Sequence, residues 1–245
     1  MIMKKIVLSL LSFGFVIFLN AQDSTFVQPK KKKPVIDLSG RANDHLMLQI
    51  GSATWAGKPE SIKTKGLSRA INFYAMFDYP VKTNPVLSIG LGLGVGSEHI
   101  FFDKMYLGIK DLTTTLTIDD RSDSVYFKKY KLATSWLEAP IEIRYTKNPL
   151  RSSKSFKAAL GIKVGTLIRA QTRGSDFKDL AGTVNPYSQK EASKRFFNKN
   201  RLSVTGRVGL GTLSIFGSYQ VTQLFKEGLA PKINPWSVGL TLSGL

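Results

Sequence analysis

From His45 onward, apolar and polar residues alternate with a period of two in eight separate stretches. LMLQIGSATW (46–55) sets Leu46, Leu48 and Ile50 against Met47, Gln49, Gly51 and Ala53. AINFYAMFDY (70–79) sets Ile71, Phe73, Ala75, Phe77 and Tyr79 against Asn72, Tyr74, Met76 and Asp78. LSIGLGLGVG (87–96) is aliphatic on one face and, after Ser88, bare glycine on the other. YKLATSWLEAPIEIRY (130–145) places Ala133, Leu137, Ala139, Ile141, Ile143 and Tyr145 opposite Trp136, Glu138, Glu142 and Arg144. Proline cannot donate to a strand ladder, so Pro140 predicts a bulge or local break there. SFKAALGIKVGTLIRAQ (155–171), RLSVTGRVGLG (201–211), the less regular TLSIFGSYQVTQL (212–224) and WSVGLTLSGL (236–245) complete the set.

Each stretch is about as long as a tilted strand needs to be to cross a bilayer. Residues 80–85, 146–154 and the junction near Gly211 are short connections, whereas 56–68, 97–129, 172–200 and 225–235 are longer. An even strand number with short turns at one end and long loops at the other predicts an all-β, eight-stranded, antiparallel up-and-down transmembrane barrel over residues 45–245. A soluble sandwich also alternates, but it keeps its apolar face inward and its polar face outward. Here one face is almost unbroken aliphatic and aromatic, while the other mixes Gly, Ala and Ser with Arg, Lys and Glu. So narrow a barrel has a lumen filled by side chains. The glycines of 90–96 then make room for bulky neighbours such as Tyr74, Trp136 and Arg207. A dinucleotide fingerprint fails on spacing, because the position it reserves for the third glycine falls on Val95 or Ser97.

Ahead of the barrel, MIMKKIVLSLLSFGFVIFLNAQ has Lys4 and Lys5, an apolar run from Ile6 to Leu19, then small or polar residues. That order predicts a signal peptide over 1–22, with a run too short for a membrane span. Residues 23–44 have no periodicity and carry Lys30, Lys31, Lys32 and Lys33 between two prolines, which reads as a basic periplasmic tether. Elsewhere there is no run of 18 apolar residues, which excludes a helical membrane protein. With no cysteine, disulfide staples and thiolate metal sites are excluded as well.

The formal charge of +18 becomes 18 − 2 = +16 without Lys4 and Lys5. Such an excess favours anionic partners. For an exported chain those are lipid phosphates or lipopolysaccharide rather than nucleic acid, which places the barrel in an outer membrane with both termini periplasmic. By parity Asp78, Glu138, Glu142, Arg144, Lys157, Lys163, Arg169 and Arg207 face the lumen. Unpaired charges there are unfavourable, so a neutralising network is predicted, with Glu138 opposite Lys163. In the long loops Lys190, Lys194, Arg195 and Lys199 suit lipid phosphate contacts, and Lys30–Lys33 suit the inner leaflet or an acidic partner.

SWLEAPIEIRY (135–145) resembles the fourth-strand motif of the PorT-like outer-membrane β-barrel proteins of Bacteroidetes, and the Gly-rich third strand, the basic fifth strand with its Gly-Ile-Lys-Val-Gly and a signal peptide ending in Ala-Gln are similar to that family too. The resemblance implies an outer-membrane barrel without catalytic residues and, through some relatives, an accessory role in type IX secretion. An enzymatic alternative rests on Ser97, Glu98 and His99, but consecutive side chains on a strand point to opposite faces. His45 and His99 fall at opposite ends of the barrel. The expectation is a non-enzymatic structural or accessory barrel with no cofactor; a subunit of a secretion or assembly complex and a lipid-modifying enzyme are its alternatives.

Overall fold

Alternating side chains give a strand two chemically different faces, and closing a sheet commits one to the lumen and the other to the surroundings. The computed structural model describes residues 45–65 and 68–244. The signal peptide and the basic tether of 23–44 lie outside the described residues. In chain order the strands are β1 (Leu46–Ala56), β2 (Arg69–Val81), β3 (Asn84–Phe102), β4 (Met105–Leu107), β5 (Ile118–Asp120), β6 (Tyr126–Thr146), β7 (Phe156–Lys178), β8 (Val184–Ala192), β9 (Asn200–Leu210), β10 (Leu213–Gln220) and β11 (Asn234–Ser243).

Eight of these form a closed antiparallel barrel in the order β6-β3-β2-β1-β11-β10-β9-β7, closed by the pairing of β7 with β6. First and last strands are neighbours, with Met47 opposite Ser243. β8 pairs with the upper part of β7, and β4 and β5 form a separate small hairpin. The turns at 82–83, 147–155 and 211–212 mark one end, and the longer connections mark the other.

The wall is apolar, as the alternation requires. Ile71, Phe73, Phe77, Tyr79, Leu93 and Ile143 are exposed on it. From Ile71 to Tyr79 the strand runs about 27 Å. At a tilt of about 40° that is ~20 Å of depth, near the ~25 Å apolar band of outer-membrane barrels. Aromatics mark both margins: Tyr145 and Phe156 have ring centroids 6.4 Å apart near the short turns, and Tyr219 lies opposite Trp236 near the long loops.

Of the two outcomes expected at Pro140, the ladder shows the local break and not the bulge: Gly92 and Leu93 lose their partners on β6, while Leu91↔Ile141 and Gly94↔Glu138 keep one register. The bulge lies instead at Ser135/Trp136, where Trp136 faces Leu167 and Ser135 faces Arg169, leaving Ile168 as an extra residue in β7. That residue inverts the parity above it, so Leu167 and Ala170 are buried while Arg169 is exposed on the wall. Arg169 is therefore no part of the lumen. A second expectation is also corrected, since much of 97–129 and 172–200 is strand rather than loop. β3, β6 and β7 are 19, 21 and 23 residues long against 11 for β1, so one side of the barrel rises above the other.

The long-loop end is sealed by an apolar cap. Ile62, Leu107, Ile109, Leu116, Phe196, Phe197, Phe225 and Ile233 turn in from all four long connections onto Trp55, Phe102 and Trp136. Trp55 meets Phe102 and Phe225 edge-on at centroid distances of 5.4 and 6.0 Å, and Phe197 lies 5.0 Å from Phe225. Such aromatic pairs add to what burial alone contributes.

Candidate functional site: the lumen network and the outer rim

Below the cap, the inward face carries two charged clusters. In the upper one, the Tyr74 hydroxyl donates to Glu138 Oε2 at 2.5 Å and Arg201 Nε donates to Glu138 Oε1 at 2.5 Å. Arg201 Nη2 also pairs with that oxygen, and Nη1 donates to Glu98 Oε1 at 2.9 Å. The Arg201 guanidinium lies 4.7 Å from the Trp136 ring centroid, and Lys163 Nζ lies 5.9 Å from that of Tyr74. In the lower cluster, Glu142 Oε2 accepts from Arg144 Nε at 3.0 Å and from Arg207 Nη2 at 3.2 Å. Arg144 Nη1 approaches Asp78 Oδ1 at 3.6 Å, and Arg207 Nη1 donates to Ser243 Oγ at 3.3 Å. Beside them, Asn72 donates to Gln49 Oε1 at 3.1 Å and Gln49 donates to Thr241 Oγ1 at 3.2 Å.

Glycines make these clusters fit. A Cβ on Gly94 would stand 2.7 Å from Tyr74 Cδ1, and one on Gly96 would stand 2.5 Å from Glu138 Oε2. The glycines of 90–96 thus leave space that Tyr74, Glu138 and Arg144 occupy.

Of the residues expected in the lumen, Asp78, Glu138, Glu142, Arg144, Lys157, Lys163 and Arg207 are there, and Arg169 is not. The partner expected for Glu138 is also corrected. Lys163 lies opposite Pro140, Gly165 lies opposite Glu138, and Glu138 is held by Arg201. Arg201 and Glu98 are the residues that the sequence reading missed. Both share the parity of residues already assigned inward: Arg201 opens the stretch 201–211 in phase with Ser203 and Arg207, and Glu98 lies two residues past the stretch 87–96 in phase with Gly94 and Gly96.

Chemically, Glu138 and Glu142 are each engaged by at least two hydrogen-bond donors, an arrangement that fixes the strands around them. On the wall, Ser97 Oγ lies 3.2 Å from His99 Nε2, and also donates to the Thr134 carbonyl at 3.3 Å. Glu98, the nearest carboxylate in sequence, points into the barrel and pairs with Arg201. Among the described residues no carboxylate is hydrogen-bonded to His99, the position from which an acidic group orients the base of a serine–histidine nucleophile. His45, exposed at the short-turn end, is remote from it, as expected.

Outside the barrel, Lys190, Lys194, Arg195 and Lys199 are all exposed, but they do not form one cluster. Arg195 Nη1 donates to the Asp111 carbonyl at 3.1 Å, whereas Lys190 lies opposite Arg173. Between the loops, Lys63 Nζ bonds Asp120 Oδ2 at 2.6 Å, which holds the Asp120 carboxyl down at about 2 and raises the Lys63 amine. Burial pushes the Tyr106 phenol up.

The closed ladder, apolar wall and charged lumen define an eight-stranded barrel of the outer-membrane type. No family model matches the chain, and neither does any curated protein. Among solved structures, the crystal structure of Ail, the attachment invasion locus protein of Yersinia pestis, is similar over 81% of this chain and 97% of that one, at 14% identity and a TM-score of 0.34. A likeness of that size carries no argument, and the assignment rests on the closed ladder itself.

Proposed function

We propose that this chain is a sealed, non-catalytic barrel of the outer membrane with a structural or accessory role, acting through its wall and its loop-built rim rather than by transport. The observation that carries this reading is the filled lumen: the Glu138 and Glu142 clusters block the middle, and the apolar cap closes the long-loop end. Eight strands enclose little more than their own side chains. A secretion-accessory role is the second reading, supported by the resemblance of SWLEAPIEIRY to PorT-like barrels and by the broad apolar wall, which a partner barrel could cover.

Mild-detergent extraction of the tagged protein from native outer membranes, followed by mass spectrometry, tests the proposal. Recovery alone or with lipid fits a free-standing structural barrel, and a stoichiometric secretion or assembly machine fits the second reading. Altered acyl chains on the membrane's lipids, present with the wild type and absent with Ser97→Ala, would overturn the non-catalytic reading.

A further inference from the structure

Cations crowd one sector of the wall just above its apolar band. On β2, Arg69 stands two residues above Ile71 on the same face, about 7 Å along the strand. The register then sets Phe101, Lys131, Arg173 and Lys190 side by side on β3, β6, β7 and β8. Adjacent strands lie about 4.8 Å apart, so the three cations span about 10 Å. Over the end of β3 this sector contains a groove of about 410 Å³, with Phe101 in its lining and Lys65, Arg69, Lys128 and Lys129 around it. Lys131 Nζ lies 5.6 Å from the Phe101 ring centroid.

Two acids answer part of this charge: Asp103 lies 3.3 Å from Lys65, and Asp176 lies 3.3 Å from Lys129. Among the described residues no carboxylate stands within ion-pair distance of Arg69, Lys128, Lys131 or Arg173. The cationic sector ends at Arg69: the outward residues next round the barrel, Ser52 opposite Arg69 and Thr54 on β1, Trp236 on β11 and Tyr219 on β10, are all uncharged.

We propose that this groove and the adjoining Lys131–Arg173–Lys190 row form a binding site for a phosphomonoester-bearing lipid of the leaflet on the long-loop side, with its acyl chains along the Ile71, Val95 and Leu137 wall. Several unpaired cations beside one another favour a multiply charged anion, and Arg and Lys meet phosphate oxygens with charge-assisted hydrogen bonds. Their position directly above an apolar wall selects an anion that carries hydrocarbon. The inference rests on the membrane setting proposed above. It moves the lipid contact from the Lys194–Lys199 loop to the barrel's own wall.

Folded protein in detergent is titrated with lipid A and with lipid A stripped of its phosphates, and bound lipid is counted by native mass spectrometry. Wild type is expected to favour the phosphorylated form by about tenfold or more, and Arg69→Gln/Lys131→Gln/Arg173→Gln is expected to lose that preference. Lys194→Gln/Lys199→Gln serves as the control and is expected to keep it. If the triple variant does not fold, Lys131→Gln alone carries the test. Equal binding of the two lipids, equal binding by wild type and variant, or displacement of lipid A by millimolar inorganic phosphate overturns the proposal. If the wild type folds and binds no lipid, the site fails; if it neither fractionates with outer membranes nor folds in vesicles, the membrane setting fails.

Discussion

Arg201 on β9 and Glu138 on β6 meet across Gly165 of β7, which lies opposite both in register. A Cβ at 165 would stand 3.2 Å from Glu138 Cγ and 3.3 Å from Arg201 Cγ, so the absent side chain leaves the room in which the pair forms. Both partners are almost wholly buried. Removing Glu138 leaves Arg201 with Glu98 alone, and removing Arg201 leaves Glu138 with the Tyr74 hydroxyl and no guanidinium; breaking a buried pair in this way costs about 3–5 kcal/mol, whereas removing both together costs less than the sum. Arg201→Met and Glu138→Gln are therefore each expected to lower unfolding stability by several kcal/mol, and the double variant by less than their sum. Urea unfolding of the refolded barrel in lipid reads all three.

The glycine positions sort the same way. Gly165→Val intrudes on the pair and is expected to destabilise by about 1–3 kcal/mol, with more loss if strand pairing fails. Gly217 on β10 faces outward with no heavy atom within 4 Å of an added Cβ, so Gly217→Ala is expected to change stability by no more than about 0.5 kcal/mol. Gel mobility with and without heating separates folded from unfolded barrel for each variant.

The bulge at Ile168 makes a positional prediction. Arg169→Cys, alone in this cysteine-free chain, is expected to react with a hydrophilic maleimide in detergent-solubilised protein, whereas Ser203→Cys, on the lumen side, is expected to be protected until the barrel is denatured. Equal labelling of the two would mean that β7 keeps simple alternation through Ile168.

The Lys63–Asp120 contact has a defined pH window. The Asp120 carboxyl is lowered from 3.8 to about 2, so its contribution is fully present above about pH 4 and is lost as pH falls through 2. Lys63 is raised from 10.5, so its contribution is present below that pH and is lost only as pH rises through the raised value. Hydrogen exchange at the Ser122 amide, which donates to Asp120 Oδ1 at 3.0 Å, is expected to show constant protection between about pH 4 and 10 once corrected for intrinsic rates. In Asp120→Asn that protection is expected to be weaker throughout this range.

The period of two revealed most of the barrel in advance, because face chemistry on a strand depends on parity alone. It failed where parity itself changed. Nothing in GTLIRAQ announces that Ile168 is extra, so Arg169 was carried inward with Lys163. Strand ends were also hidden: residues 97–102 and 172–178 rise above the apolar band, where they have no lipid face to keep hydrophobic, and they read as loop. Glu98 lies in one of those hidden ends, whereas Arg201 opens the stretch 201–211, where its parity with Ser203 and Arg207 was the signal. The partner of Glu138 was unreadable because it depends on a two-residue register difference in the β6–β7 pairing and on a strand beyond it. The cap is non-periodic: Ile62, Leu116 and Phe197 converge from separate loops, and no local pattern links them.

The sealed lumen is tested most directly by conductance of the refolded wild-type barrel in planar lipid bilayers. With the Glu138 and Glu142 clusters and the apolar cap in place, no discrete conductance steps are expected at any moderate voltage. Reproducible single-channel openings from folded, heat-modifiable protein would contradict a sealed, non-transporting barrel.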